Sequence, residues 1–214
     1  MHYDSKGPYL SIANRPLSLA PADEQADAVL AILRQHAWLV ALLAQLRELQ
    51  LPNAYIGGGA IPQIVWNHLH QFDPNHGLSD FDVVYFNAED LSADAEQLQE
   101  AALTERLPGS PVRIEAINEA RVHVWYERDF GKAMAPYRCT EDAIYCFPTT
   151  ASATGVTTQP DGAWKLFAPH GLTDLLGLIV RPNKVQIPEQ RYLEKCERWS
   201  KLWPGLTIVP WETS

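Results

Sequence analysis

Leu30, Leu33, Ala37, Val40, Ala41 and Ala44 recur at helical spacing, so residues 21–50 read as helix, either continuous or broken near His36. Pro21 suits the start, Asp23 and Glu24 suit the first turn, and Pro52 ends the segment. The period then shortens. Residues 53–56 predict a short strand, Gly57-Gly58-Gly59 a tight turn, and residues 60–69 a helix that tolerates Pro62 in its first turn. A polar loop fills residues 70–79. Residues 81–86 are rich in β-branched and aromatic side chains and read as a strand. Ser92 is a good N-cap for a helix reaching Arg106, Pro108-Gly109 breaks the chain, and residues 112–117 form another strand.

The later half alternates less clearly. Asn118 and Gly131 bracket residues 119–130 with cap signals that favour helix, although residues 121–125 also alternate as a strand would. Residues 142–147 give one helical turn or two. Residues 154–158 and 164–167 form a hairpin around Asp161-Gly162. A short helix over 172–180, a longer one over 189–203 and an extended arm over 204–214 complete the reading, after an irregular lead-in over 1–20. The pattern is an α+β chain, a mixed sheet core with flanking helices. It divides into a helical extension (1–52), a core (53–132) and an α+β extension packed on that core (133–214).

Composition narrows the partners. Hydrophobic residues make up 46% of the 214, enough for a sizeable core. The net charge is -9, and the basic stretch 184–201 is interrupted by Glu189, Glu194 and Glu197. A long nucleic-acid partner is therefore disfavoured, whereas a nucleotide needs only a local site. Cys139, Cys146 and Cys196 form no CxxC pair, which argues for reduced thiols. The most apolar stretch, residues 37–46, is about half the length that spans a bilayer. With no signal peptide read at residues 1–10, the expectation is a cytoplasmic protein with no membrane partner.

The candidate chemistry begins at Asp80-Phe81-Asp82. Residues two apart in a strand share a face, so both carboxylates project together. Two acids so placed repel unless a cation lies between them, and magnesium favours oxygen ligands shared with substrate phosphates. Gly57, Gly58 and Gly59 join a strand to a helix, where backbone N–H groups favour an anion and glycine admits close approach. The turn is neither a Walker A loop nor a dinucleotide fingerprint. On the 112–117 strand, Arg113 and Glu115 share the face opposite Val112, Ile114 and Ala116. Glu115 is the third acid if that strand neighbours the first, Glu119 is the next candidate, and a plain Arg113–Glu115 surface pair is the competing reading. His68, His70 and His76 read as polar loop histidines, since residues two apart on a helix do not share a face.

The segment "YIGGGAIPQIVWNHLHQFDPNHGLSDFDVVYF" (55–86) resembles the nucleotidyltransferase superfamily of DNA polymerase β and the CCA-adding enzymes. The shared pattern is a glycine turn, a helix, a hydrophobic strand opening with DxD, and a later acid. A narrower resemblance, to stand-alone bacterial nucleotidyltransferases long catalogued as a domain of unknown function, rests on "GLSDFDVVYF" (77–86), "NEARVHVWY" (118–126), "APHGLTDLL" (168–176), "VRPN" (180–183) and "RWSKLWPGL" (198–206). The resemblance implies a nucleotidyltransferase-type core and transfer of a nucleoside monophosphate from an NTP such as ATP. It assigns Mg²⁺ (or Mn²⁺) to Asp80, Asp82 and Glu115, and nucleotide contacts to Gly57, Gly58, Gly59 and Arg121. The chain lacks the large helical RNA-binding region of CCA-adding enzymes, so the implied acceptor is a small molecule or a protein. The alternative is a non-catalytic nucleotide-binding or interaction protein on the same scaffold. Two departures stand out. The 60–79 interval is longer than in many members, and Pro62-Gln63 replaces an arginine-containing pair, so that either another cation, such as Arg121 or Lys165, serves or triphosphate binding is weaker.

Overall fold

The computed structural model describes residues 15–213. Most of the expected lead-in, the N-terminal decapeptide read for a signal and the last residue of the tail lie outside them. Helix α1 (Ala22–Leu33) and helix α2 (Ala37–Leu49) meet at 97°. The break falls at His36, whose Nδ1 accepts from the N–H of Leu39 at 3.2 Å and so caps α2. No single described helix is long and apolar enough to cross a membrane.

Strand β1 (Tyr55–Gly57) leads through the glycine turn into α3 (Ala60–His70), then into β2 (Asp80–Tyr85). Helix α4 (Ala93–Arg106) starts where Ser92 accepts from Ala95 N–H and returns the chain to β3 (Arg113–Asn118). Asn118 caps a short 3₁₀ turn, Glu119–Arg121, that runs into α5 (Val122–Phe130), and Gly131 closes α5 in a left-handed conformation. Helical cap signals therefore prevail over the local alternation. After α6 (Thr140–Tyr145), β4 (Gly155–Thr158) and β5 (Trp164–Phe167) form the expected hairpin.

Five strands make one mixed sheet in the order β3-β2-β1-β4-β5, with β2 and β3 parallel and the other pairs antiparallel. The segment following residue 133 thus supplies two strands of the same sheet. One face, carrying Ile56, Phe81, Val83, Ile114, Ala116 and Val156, packs into the main core with α1, α2 and α3. The opposite face carries a small apolar cluster, Tyr55, Val84 and Ile144, and beside it the acidic residues.

The helix expected over 172–180 is confined to α7 (Thr173–Leu176). Gly177 follows it, Leu178 takes a φ of 57°, and Ile179–Val180 becomes strand β6. Within the extended tail, β7 (Thr207–Ile208) pairs in parallel with β6. Between them α8 (Glu189–Leu202) docks on α3 through aromatic rings. Trp66 of α3 meets Trp199 at 4.9 Å and Trp203 at 5.6 Å, both edge-on. Asn67 receives the Trp203 indole N–H at 2.8 Å, and Trp66 donates to Leu175 O at 3.1 Å. The buried, hydrogen-bonded indoles of Trp66 and Trp203 fix the last helix against the helix that leaves the glycine turn, and Trp199 packs beside them with its buried N–H unpartnered.

Candidate active site

The register of the sheet brings the acids together. Gly57 stands opposite Asp82 across β1–β2, and in the parallel β2–β3 pair Asp80 stands beside Arg113 and Asp82 beside Glu115. Facing residues in a ladder point to the same side, so Asp80, Asp82, Arg113 and Glu115 share the face opposite the main core. Burial and the neighbouring Asp80 push the Asp82 carboxyl up to about 6. Lys195 and a backbone hydrogen bond from Gly59 act in the other direction. Glu119, at 4% exposure, is pushed up to about 8 by burial and by Asp82 and Glu96.

Of the three glycines, Gly58 is the one that the backbone and its neighbours require. Gly58 has a φ of 66°, and a Cβ there would collide with Oδ2 of Asp82. A Cβ on Gly57 would lie 3.2 Å from the Phe147 ring and 3.5 Å from Thr154 O. That carbonyl belongs to the "TTASATG" loop, in which Thr149, Ser152 and Thr154 are fully buried and hydrogen-bonded locally. Gly59 packs between Gln63 and Trp199. Its N–H is engaged by Asp82, so the helix start that was expected to meet a phosphate also steadies a carboxylate. Gln63, in the place of the expected arginine-containing pair, is buried with its Oε1 unpartnered.

The remaining candidates part company. Glu115 lies where the third acid was expected but is ion-paired with Arg113. The pair of the competing reading is thus present, with Arg113 exposed and Glu115 beside Asp82 in the register. Among the described residues no three His, Cys, Asp or Glu side chains stand close enough to hold a metal ion in this arrangement. Arg121 pairs with Glu96 and donates to Leu91 O at 3.0 Å. Lys165 donates to Tyr55 Oη at 2.7 Å and pairs with Glu141 at 3.3 Å. Both cations named from the sequence are thus committed to internal partners. His70 and His76 bond to the carbonyls of Trp66 and Leu202.

Lys195 went unrecognised in the sequence. It sits on α8 with its ammonium 4.5 Å from the centroid of the Trp199 ring. Burial pushes it down to about 8, against the pull of Asp82. Spacing alone offers no signal for it, because α8 reaches the site only through the Trp66–Trp199 packing. Lys195 borders a cleft of about 1140 Å³ that also takes in Glu115, Glu119 and Arg121.

A mixed sheet with two aspartates on one strand face, set against a glycine turn that opens a helix, defines a nucleotidyltransferase-type fold. The chain belongs to the nucleotidyltransferase family, whose model, described as "Nucleotidyltransferase", matches residues 44–208. It is a nucleotidyltransferase enzyme. Among solved structures it is similar to one titled "The NMR structure of the protein reveals a CCA-adding enzyme head domain". That likeness has a TM-score of 0.68 at 24% identity, covers 85% of this chain and 94% of that one, and bears on the fold. Comparison with curated proteins gave no match.

Proposed function

We propose that the chain transfers a nucleoside monophosphate from an NTP to a small-molecule or protein acceptor in a magnesium-dependent reaction, with pyrophosphate leaving. The observation that carries this reading is the Asp80–Asp82 pair on one strand face, with Asp82 pushed up to about 6 by burial and by its neighbour. A carboxylate held at such electrostatic cost, with hard oxygen donors beside it, fits a divalent cation. Asp80 and Asp82 would hold it, and Glu115, beside Asp82 in the register, would complete the set on release from Arg113. Mn²⁺ has the same donor preference. The chemistry the metal supplies when bound is charge neutralisation at the transferring phosphate and a lowered pKa for the attacking hydroxyl.

The chain's own residues do the rest. Gly58 leaves room for the Asp82 carboxylate, and Gly59 orients it through its N–H. The cleft is lined by Glu115, Glu119 and Lys195 and not by Asp80, Asp82 or the glycine turn, and its volume suits a nucleotide that extends from it towards the two aspartates. A small acceptor or a protein is favoured over long nucleic acid by the net charge of -9. Cytoplasmic location is proposed on the three cysteines, all unpaired.

Incubation with each labelled NTP, Mg²⁺ or Mn²⁺ and a cell extract tests the proposal. Label is expected in one acceptor, with release of pyrophosphate, and only with metal present. Metal-independent labelling, or labelling retained by Asp82→Asn, would refute it.

A further inference from the structure

The cleft holds two cations that its internal ion pairs leave over. Of the basic residues bordering it, Arg121 pairs with Glu96, Arg128 with Asp129 and Arg191 with Glu194. Lys195 and Arg198 border the same cleft, and among the described residues neither is in an ion pair with a carboxylate. They are three apart on α8, so they lie on neighbouring positions of one helix face.

Their placement relative to the glycine turn follows from contacts. A Cβ on Gly59 would lie 3.9 Å from the Trp199 ring, and the Lys195 ammonium sits 4.5 Å from the centroid of that ring. Trp199 is fully buried and locked against Trp66 of α3. One indole ring is therefore near both the turn and the ammonium. The fields of Asp82 and Asp80 both reach Lys195.

We propose that Lys195, with Arg198 beside it, is the triphosphate-binding arm of the cleft, supplied by the C-terminal helix in place of the cation missing from Pro62-Gln63. This rests on the reading of the cleft as a nucleotide site. A triphosphate carries charge that the metal neutralises only in part, and a cation near the same carboxylates meets the remainder. The Trp199 ring holds the ammonium in place, so little side-chain freedom is lost on binding. Arg198, exposed at the cleft margin, reaches the outer end of the same anion.

The test uses inorganic tripolyphosphate with Mg²⁺, a probe independent of the base, and isothermal titration on the full chain. Lys195→Met keeps the apolar stem over Trp199 and removes the charge. It should weaken tripolyphosphate and NTP by about tenfold or more. Binding of Mn²⁺ alone should stay equal or tighten, because a cation facing Asp80 and Asp82 has gone. Lys195→Arg should restore most of the affinity, Arg198→Ala should give a smaller loss, and Lys201→Ala, on the same helix but paired with Glu197, should change nothing. A Lys195→Met protein that binds tripolyphosphate as wild type does would overturn the proposal alone. Equal weakening of Mn²⁺ and tripolyphosphate would overturn it too, by showing a merely structural role. Failure of the wild type to bind any NTP or tripolyphosphate would instead reject the nucleotide-site reading, and this proposal with it.

Discussion

The carboxylate of Asp82 occupies the space where a side chain on Gly58 would have to start. The two residues belong to different elements, Gly58 to the turn after β1 and Asp82 to β2, and the pairing of Gly57 with Asp82 brings them together. The turn is therefore shaped by the acid it holds, as well as by the change of chain direction from strand to helix.

Gly58→Ala should impair both stability and transfer. Its φ of 66° alone costs a residue with a Cβ about 1–2 kcal/mol, and displacement of Asp82 adds to that. Thermal unfolding and NTP transfer measured together should both fall. A variant with normal stability and normal transfer would show that Asp82 and the turn are not coupled.

Asp82→Asn, and likewise Asp80→Asn, should abolish metal-dependent NTP binding with the fold intact, since a neutral amide is a poor magnesium ligand. For Asp82 the effect on the metal-free protein has a definite sign. Its carboxyl moves from an ordinary 3.8 to about 6 in the folded chain, so between those values the folded state holds more protons than the unfolded one. Stability then falls as pH rises through that window. Asp82→Asn should remove this fall and melt higher than wild type above pH 6 without metal. Melting curves with and without Mg²⁺ decide it: a variant that keeps the full metal-ATP shift sinks the metal assignment.

Glu119 extends the same argument to higher pH. It moves from 4.5 to about 8, so its charged form is disfavoured in the fold, and metal-free stability should continue to fall up to pH 8. Glu119→Gln should flatten the upper part of that profile. Because Asp82 contributes to the shift of Glu119, the two acids titrate together, and each substitution should alter the profile left by the other. Denaturant midpoints at pH 5, 7 and 8.5 provide the check; identical slopes for Glu119→Gln and wild type would contradict it.

Glu115→Gln should lower kcat steeply and change NTP affinity little, because a ligand of the metal that activates the acceptor matters more for transfer than for binding. Arg113→Ala frees the same carboxylate from its ion pair and should strengthen Mn²⁺ binding. Wild-type turnover in Glu115→Gln would remove this residue from the site.

Binding to generic tRNA or DNA should be weak at physiological salt, given the net charge of -9. A gel shift with a dissociation constant below about 1 μM would return tRNA to the top of the acceptor possibilities.

Local chemistry made much of the core legible. The period of two in β2 put Asp80 and Asp82 on one face, Ser92 and Asn118 announced the starts of the helical segments they cap, and Gly57-Gly58-Gly59 marked a strand-to-helix turn. Each depends on residues a few positions apart, whose steric and hydrogen-bonding rules act before any tertiary contact forms. The 172–180 segment was misread because its apolar run suits a helix and a buried strand equally. Gly177 and the pairing of β6 with β7 decided between them.

The sequence by itself determined the pair of aspartates, the turn beside them and the α+β alternation. Tertiary structure decided which charges stand near one another. Arg121 looked available in the sequence, yet packing of the 3₁₀ turn beside α4 gives its guanidinium to Glu96. Glu115 became a neighbour of Asp82 only when β2 and β3 paired in parallel. Lys195 lies far along the chain and reaches the acids because Trp199 and Trp203 dock α8 on Trp66. Ion pairs and metal sites depend on distances of a few ångströms between segments remote in sequence, and those distances are set by side-chain packing in the core.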